Sequence, residues 1–137
     1  HYLHLEGHEW SEPEFLRELV RRTDCRLLLD VNNVAVSAHN LGLDPVAYLD
    51  AFPLDAVAEI HLAGHSADLL LGNGLWIDSH DAPVAERLWS LYERVLACGG
   101  ARPTLSERDG NLPAFEQLLT ERQRAHDAMR AAGREPA

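Results

Sequence analysis

The sequence has few cysteines, no long apolar run and few basic residues, and each shortage excludes a class of protein. Cys25 and Cys98 are too few for a disulfide scaffold and lack the CxxC spacing of a redox or zinc motif, so we expect a reducing, cytoplasmic location. No apolar run approaches the roughly 18 residues that span a membrane. The polar, His-rich opening also lacks the pattern of a secretory signal. We therefore expect no membrane partner.

The charge balance argues against nucleic acid as a partner. The chain carries 12 Lys and Arg against 22 Asp and Glu, a formal net charge of −10. Phosphate binding depends on basic patches, and none is visible here. The 137 residues, 46% of them apolar, suit one globular domain with its own core.

Apolar spacing predicts helices alternating with strands. Ser11 and Glu14 have the spacing of a capping box and precede a helical apolar period, which predicts a helix over residues 12–23. The runs "CRLLLDV", "VAEIHLA" and "RPTLSERD" predict three strands, the first two buried on both faces as in parallel sheets. Asp44-Pro45 predicts the start of a short helix through "VAYLDAF".

Two further helices and a long loop complete the pattern. "VAERLWSLYERVLACGG" has helical spacing, and we expect Asn111 to cap a last helix through "LPAFEQLLTERQRAHDAMRAA". "GHSADLLLGNGLWIDSHDAP", with its three glycines and a proline, predicts a long loop, a feature that is often functional.

This order predicts an α/β fold with parallel strands, right-handed crossovers and helices outside. Three strands cannot close a barrel, and alone they would leave two hydrophobic edges unpaired. Either the sheet continues in another chain, or residues 1–137 are a partial domain of a larger fold. We favour part of a TIM (β/α)8 barrel.

Each predicted strand ends in a potential metal ligand, namely Asp30, His61 and Glu107. In parallel α/β folds the carboxyl ends of the strands form the active site, so these side chains are expected to converge on one rim. A polar cluster directly after an apolar strand is typical of such a rim.

Residue spacing adds further candidate ligands. Residues i and i+2 point the same way in extended backbone, so Asp30 with Asn32, and Asp78 with His80, can each present two groups to one point. Asn33 projects in a different direction, and we expect its side chain to reach a second position near the rim, where the strand ends and the loop begins. Carboxylate, amide and imidazole donors without thiolate suit iron, manganese or zinc.

Taken singly, these residues also have ordinary structural explanations. Asp30 fits a helix cap or turn equally well, and His61 fits a core histidine with its hydrogen bonds satisfied. The acid–histidine pair of the long loop is a weak signal alone, and Glu107 could form a plain ion pair with Arg108. The metal interpretation depends on their sharing one rim.

Four segments carry a family resemblance: "LLLDVNNVAVSAHNLG", "IHLAGH", "IDSHD" and "LSERDGNLP". Here the sequence resembles the bacterial multinuclear non-heme iron oxidases of the methanobactin-biosynthesis type, long catalogued as a family of unknown function. The resemblance implies a TIM barrel that holds two or three irons at the carboxyl ends of its strands. It also places a bridging Glu and further histidine ligands upstream of Tyr2-Leu3, so we expect a carboxyl-terminal half of the barrel.

The resemblance implies roles for eight residues. Ligands at the ends of three successive strands would be Asp30, His61 and Glu107. A further iron would be held by Asp78, His80 and Asn33. Contacts to the ligands or to the substrate would come from Asn32 and His65.

Relatives of this type modify a cysteine of a ribosomally made precursor peptide with iron and O₂, usually beside a small partner protein that recruits the peptide. The resemblance therefore implies an iron-dependent peptide-cysteine oxidase. One alternative is a barrel isomerase or hydrolase that uses zinc or manganese to activate water. Another is an inactive fragment that acts only within an assembly, as an oligomer or with a complementing amino-terminal half.

Overall fold

The structure, a computed structural model, describes residues 7–133. The expectation about residues upstream of Tyr2-Leu3 lies outside this range. The helices are α1 (Glu12–Thr23), α2 (Val31–Leu41), α3 (Pro45–Ala51), α4 (Glu86–Gly99) and α5 (Phe115–Ala132), with a 3₁₀ turn at Leu54–Ala56. The strands are β1 (Leu27–Asp30), β2 (Val57–Leu62), β3 (Ser66–Asp68), β4 (Gly72–Ile77) and β5 (Thr104–Ser106).

The main sheet has three parallel strands in the order β1-β2-β5. Asp30 pairs with His61 and His61 with Leu105 across the sheet, so the carboxyl ends of the strands lie side by side. In the main sheet, β1 is followed by α2, β2 by the pair β3 and β4 and then α4, and β5 by α5, as in successive β/α units of a TIM barrel. The expected α/β class, with three parallel strands and flanking helices, is confirmed.

The two faces of this sheet differ in burial. Leu29, Ile60 and Leu62 are at most 2% exposed and belong to the core. Leu28 and Leu105 point to the other face of the sheet and are 52% and 45% exposed. One face therefore packs against the helices, and the other is open.

Helix α4 provides much of the core. Its buried side chains recur at helical spacing and include Leu88, Trp89, Tyr92 and Leu96. Burying each large side chain contributes about 1.5–3 kcal/mol. The polar atoms are satisfied as well, since the Tyr92 hydroxyl lies 2.9 Å from the Thr104 hydroxyl and the Trp89 indole donates to a backbone carbonyl.

Two predicted helix starts are confirmed. Helix α1 covers residues 12–23 as predicted, with both halves of the Ser11–Glu14 capping box formed. Helix α3 starts at Pro45 with the Asp44 side chain capping the Val46 N–H.

Helix α2 was not predicted, and the residues after Asp30 are helical rather than extended. The i, i+2 argument for Asp30 and Asn32 is therefore wrong. The segment is rich in valine and asparagine, which are poor helix formers. Burial of side chains such as Val31, Val34 and Val36 outweighs that weak propensity.

Two other expectations are corrected. The predicted long loop contains an antiparallel hairpin, β3–β4, closed where the Asp68 carboxylate accepts the N–H groups of the next turn at 2.8 and 2.9 Å. Asn111 does not cap α5, which begins at Phe115 after Ala114. Pro113 disfavours helical backbone at the residue before it and so delays the helix.

Within residues 7–133, no helix combines the length and apolar character needed to cross a bilayer.

Candidate metal centre

The ends of the three parallel strands converge. Asp30 and His61 are register partners, and the Glu107 N–H donates to the Leu62 carbonyl at 2.8 Å, which extends the ladder beyond β5. His61 Nδ1 lies 2.9 Å from Glu107 Oε1. The side chains of His61 and Glu107 are half-buried, so they face the rim rather than the core.

The hairpin brings a second pair of residues to the same rim. His80 follows β4 with a positive φ of 51°, and its N–H donates to the Gly64 carbonyl at 3.1 Å. Its imidazole Nδ1 lies 3.1 Å from Glu107 Oε2, and its Nε2 lies 3.1 Å from Asp78 Oδ1. Both hairpin residues thus join the strand-end residues.

Gly64 allows this approach. A Cβ built on Gly64 would lie 2.0 Å from the Ala82 carbonyl oxygen and 2.7 Å from that of Pro83. Both are backbone atoms, so no side-chain rotation can relieve the clash. Glycine is therefore required where the segment after His80 crosses the end of β2.

Three of the grouped residues could share one cation. Ligand atoms of Asp30, His80 and Glu107 all lie within 4.8 Å of one another. The two oxygens of Glu107 face different imidazoles, that of His61 and that of His80. The partition of ligands between metals stays a prediction.

Asn32 and Asn33 reach the cluster from the first turn of α2. The Asn32 side chain, which is 0% exposed, donates to Asp78 Oδ1 at 2.5 Å and to the Gly64 carbonyl at 3.2 Å. Asn33 donates its amide Nδ2 to Asp78 Oδ2 at 2.6 Å, so a role as ligand would fall to its oxygen. The Asn33 N–H also donates to the Asp30 carboxylate at 2.9 Å, so Asp30 caps α2.

Electrostatics in the cluster favour a cation. Burial raises the pKa of the Asp30 carboxyl, and the charge of Asp78 adds to this increase. Burial lowers the pKa of His80, but the surrounding carboxylates, with Asp78 and Glu107 foremost, outweigh it and raise the pKa. Carboxylates held this close together repel one another unless a positive charge lies between them.

His65 is placed beside Asn32, and its Nδ1 lies 2.8 Å from Asn32 Oδ1. Burial lowers the pKa of His65, and the adjacent Arg87 lowers it further. A neutral imidazole with Nδ1–H donates to Asn32 and accepts at Nε2 from the Arg87 guanidinium, which contacts it.

Sequence reasoning missed several neighbours of the cluster. Asp109 Oδ2 lies 3.2 Å from His80 Nδ1, and Trp76 stacks on His65 with ring centroids 4.6 Å apart. Trp76 precedes Asp78 by two residues, and because residues at this spacing in a strand point to the same side, the sequence could have indicated that Trp76 lies near the site. The ion pair considered for Glu107 is absent from the described residues, because Arg108 pairs with Glu121 at 3.3 Å.

Comparison with known proteins gives one family and a set of relatives. The family model described as "RiPP precursor modification enzyme MbnB/TglH/ChrH" matches residues 1–130. A UPF0276 protein of Caulobacter sp. (strain K31) is 57% identical over 125 residues, 91% of this chain and 45% of that protein. UPF0276 proteins of Bordetella bronchiseptica and Vibrio vulnificus (strain YJ016) are 55% and 47% identical, over 90% and 96% of this chain and 43% and 45% of their own length. The chain spans about half the length of the curated relatives it matches.

Proposed function

The chain belongs to the MbnB/TglH/ChrH family of RiPP precursor modification enzymes, and from that premise we propose that it is part of an iron- and O₂-dependent oxidase. The substrate would be a cysteine residue of a ribosomally made precursor peptide. Residues 1–137 would form one part of a TIM-barrel domain, completed by upstream strands.

The observation that carries the proposal is the convergence of Asp30, His80 and Glu107 within 4.8 Å at the rim of the sheet. Two carboxylates and an imidazole, without thiolate, are donors that suit iron, manganese or zinc. Three more donors lie beside this group and would extend it to more than one ion: the His61 imidazole, the Asp78 carboxylate and the Asn33 amide oxygen. We propose two or three irons in the complete barrel.

The acidic residues of this chain would balance the charge of the bound metal, and neighbouring amides would orient the ligands. Glu107 faces both imidazoles and could span two ions, while Asn32 holds one oxygen of Asp78 by a hydrogen bond. Bound iron would supply the one-electron and O₂ chemistry that side chains lack. The side chains of His61 and His80 are each 16% exposed, and a peptide thiol would approach them from the open side of the sheet.

We propose a precursor peptide as the substrate class, which the description of the family supports. A small recruiting protein is proposed as its partner on the resemblance of the sequence. Both proposals concern the whole protein rather than residues 1–137 alone.

A second candidate function follows from the same donor set. Oxygen and nitrogen ligands hold zinc or manganese as well as iron, and such a site could activate water for isomerisation or hydrolysis. The requirement for O₂ distinguishes the two candidates.

The test is metal analysis of the full chain after anaerobic loading with iron(II), beside Asp30→Ala and His80→Ala. We expect bound iron in the unmodified protein and its loss in both variants. His126→Ala, in α5, is the matched control and should retain iron.

Oxygen consumption with cysteine peptides then tests the reaction, with serine peptides as the blank. Consumption that requires cysteine and iron supports the oxidase. Equal iron in all variants would refute the ligand assignment. Turnover with zinc or manganese under nitrogen would favour the isomerase or hydrolase.

A further inference from the structure

Arg87 lies beside the candidate metal centre and has no carboxylate partner among the described residues. Several other exposed arginines of this acidic chain form ion pairs with carboxylates: Arg21 with Glu18, Arg94 with Asp50 and Arg124 with Glu86, at 2.6 to 2.7 Å. Within residues 7–133, no Asp or Glu forms an ion pair with Arg87, although Glu86 precedes it in sequence. Its charge is thus available at the rim.

The guanidinium is held in a defined position. Its central carbon lies 3.5 Å from the centroid of the Trp76 ring, a cation–π contact. Trp76 is itself fixed, because the Asn40 side chain bonds to both its N–H and its carbonyl at 2.8 and 2.9 Å and His39 stacks on the ring at 3.5 Å. Arg87 therefore needs little reordering before it binds a ligand.

A chain of hydrogen bonds connects Arg87 to the candidate metal centre, and each group in it donates to the next. The guanidinium Nη2 donates to His65 Nε2, His65 Nδ1 donates to the Asn32 oxygen, and the Asn32 amide donates to Asp78. Only two side chains stand between Arg87 and a proposed ligand. A group bound by Arg87 would thus lie close to the reacting atoms.

The chemistry of the guanidinium indicates what it binds. It has five N–H donors, and only one is used within the described residues. The planar fork matches a carboxylate with two parallel hydrogen bonds. Once cations balance the acidic side chains of the cluster, Arg87 remains as a positive charge on this rim.

We propose that Arg87 binds a carboxylate of the peptide substrate and so selects cysteines that have a carboxylate nearby. The carboxylate can be the carboxyl terminus of the peptide or an acidic side chain next to the cysteine. The inference rests on the proposed function for the peptide nature of the substrate.

The test is calorimetric binding of short peptides to the full chain, which requires no turnover. One pair is Gly-Gly-Cys with a free carboxyl terminus and the same peptide as its amide. A second pair is Gly-Gly-Cys-Glu amide and Gly-Gly-Cys-Gln amide. We expect the carboxylate member of at least one pair to bind about tenfold more tightly, the effect of a charged hydrogen bond. The pair that discriminates identifies the source of the carboxylate.

Arg87→Met should reduce this preference to less than about twofold, and Arg87→Lys, which keeps the charge but loses the fork, should retain only part of it. Arg94→Met, which removes a remote paired arginine, is the matched control and should keep the full preference. A lack of preference in the unmodified protein, or its persistence in both Arg87 variants, would overturn the proposal.

The outcome is separable from that of the proposed function. Arg87→Met should bind as much iron as the unmodified protein, because Arg87 is not a ligand. Carboxylate preference in a protein that neither binds iron nor consumes O₂ would refute the oxidase and leave the Arg87 subsite standing.

Discussion

His80 Nδ1 lies 3.1 Å from Glu107 Oε2, although His80 follows a hairpin and Glu107 follows a strand of the main sheet. The two residues follow strands of different sheets. Their contact depends on how the hairpin packs across the end of β2, through Gly64 and the backbone that follows His80. Metal binding at this rim should therefore respond to changes in packing as well as to loss of a ligand.

Asp30 caps α2 and is proposed as a metal ligand, and substitution can separate these two roles. Asp30→Asn keeps an oxygen to cap α2 but removes the charge, so we expect loss of bound iron with little change in stability. Asp30→Ala removes both and should also lower the free energy of unfolding by about 1 kcal/mol. Asp44→Ala, which removes the cap of α3, should lose stability and keep iron. Metal analysis and urea unfolding measure both effects, and retention of iron by Asp30→Asn would contradict the ligand role.

Asn32 should be sensitive because its side chain is fully buried and makes three hydrogen bonds. Asn32→Leu leaves His65 Nδ1 without its acceptor and removes one of the two hydrogen bonds to the Gly64 carbonyl, and we expect a loss of about 3 kcal/mol in unfolding free energy. Metal affinity should fall about 10- to 100-fold, since Asp78 loses one of the two amide groups that orient it. Asn40→Ala, which loses bonds to the Trp76 backbone only, should keep its metal affinity. Equal metal affinity in Asn32→Leu would show that Asp78 needs no such support.

Gly64→Ala should disrupt the site by packing alone. The added methyl group would overlap the Ala82 carbonyl, so the backbone that follows His80 must move. We expect a loss of about 3 kcal/mol or more in stability, at the upper end for overpacking, together with weaker metal binding. Gly133→Ala meets its nearest atom at an ordinary 3.5 Å and should have little effect. A normal melting temperature for Gly64→Ala would show that the segment adapts freely.

The metal-free protein should lose stability as the pH rises. The carboxylates around His80 hold its pKa in the folded state above the ordinary 6.5. The folded state holds a proton on His80 more tightly than the unfolded state does. The resulting stabilisation is complete below the pKa of His80 in the unfolded chain and is lost as the pH rises through its pKa in the folded state. Burial raises the pKa of Asp30 above its ordinary 3.8, so this carboxyl also makes the folded state less stable as the pH rises above that value.

Urea unfolding at about pH 6 and about pH 8.5 tests this dependence. His80→Gln should flatten it in that window, whereas His126→Gln should not. A stability that rises with pH in the unmodified metal-free protein would contradict the arrangement. Iron affinity should show the opposite trend and increase with pH, since protons must leave the imidazole before its nitrogen can bind.

Much of the fold was predictable because its signals are local. The Ser11 capping box and Asp44-Pro45 set helix starts within a few residues, and the apolar runs of β1 and β2 are short enough to be strands. Helix α2 was not predictable, because its asparagines and valines disfavour a helix and only burial in the assembled core compensates. The hairpin was missed for a related reason, since its glycines indicate turns as readily as strands.

The sequence by itself determined the chemistry available at the rim: acids, amides and histidines at or after the strand ends, without thiolate. That follows from residue identity and from the convergence of parallel strands at their carboxyl ends. Only the tertiary structure decided which of these groups meet, that His80 joins Asp30 and Glu107 while Asn32 bonds to Asp78, and that Arg87 lies on Trp76 beside them. Those contacts join segments distant in sequence, and their geometry is set by backbone packing at Gly64 and by the position of the hairpin, which no local pattern encodes.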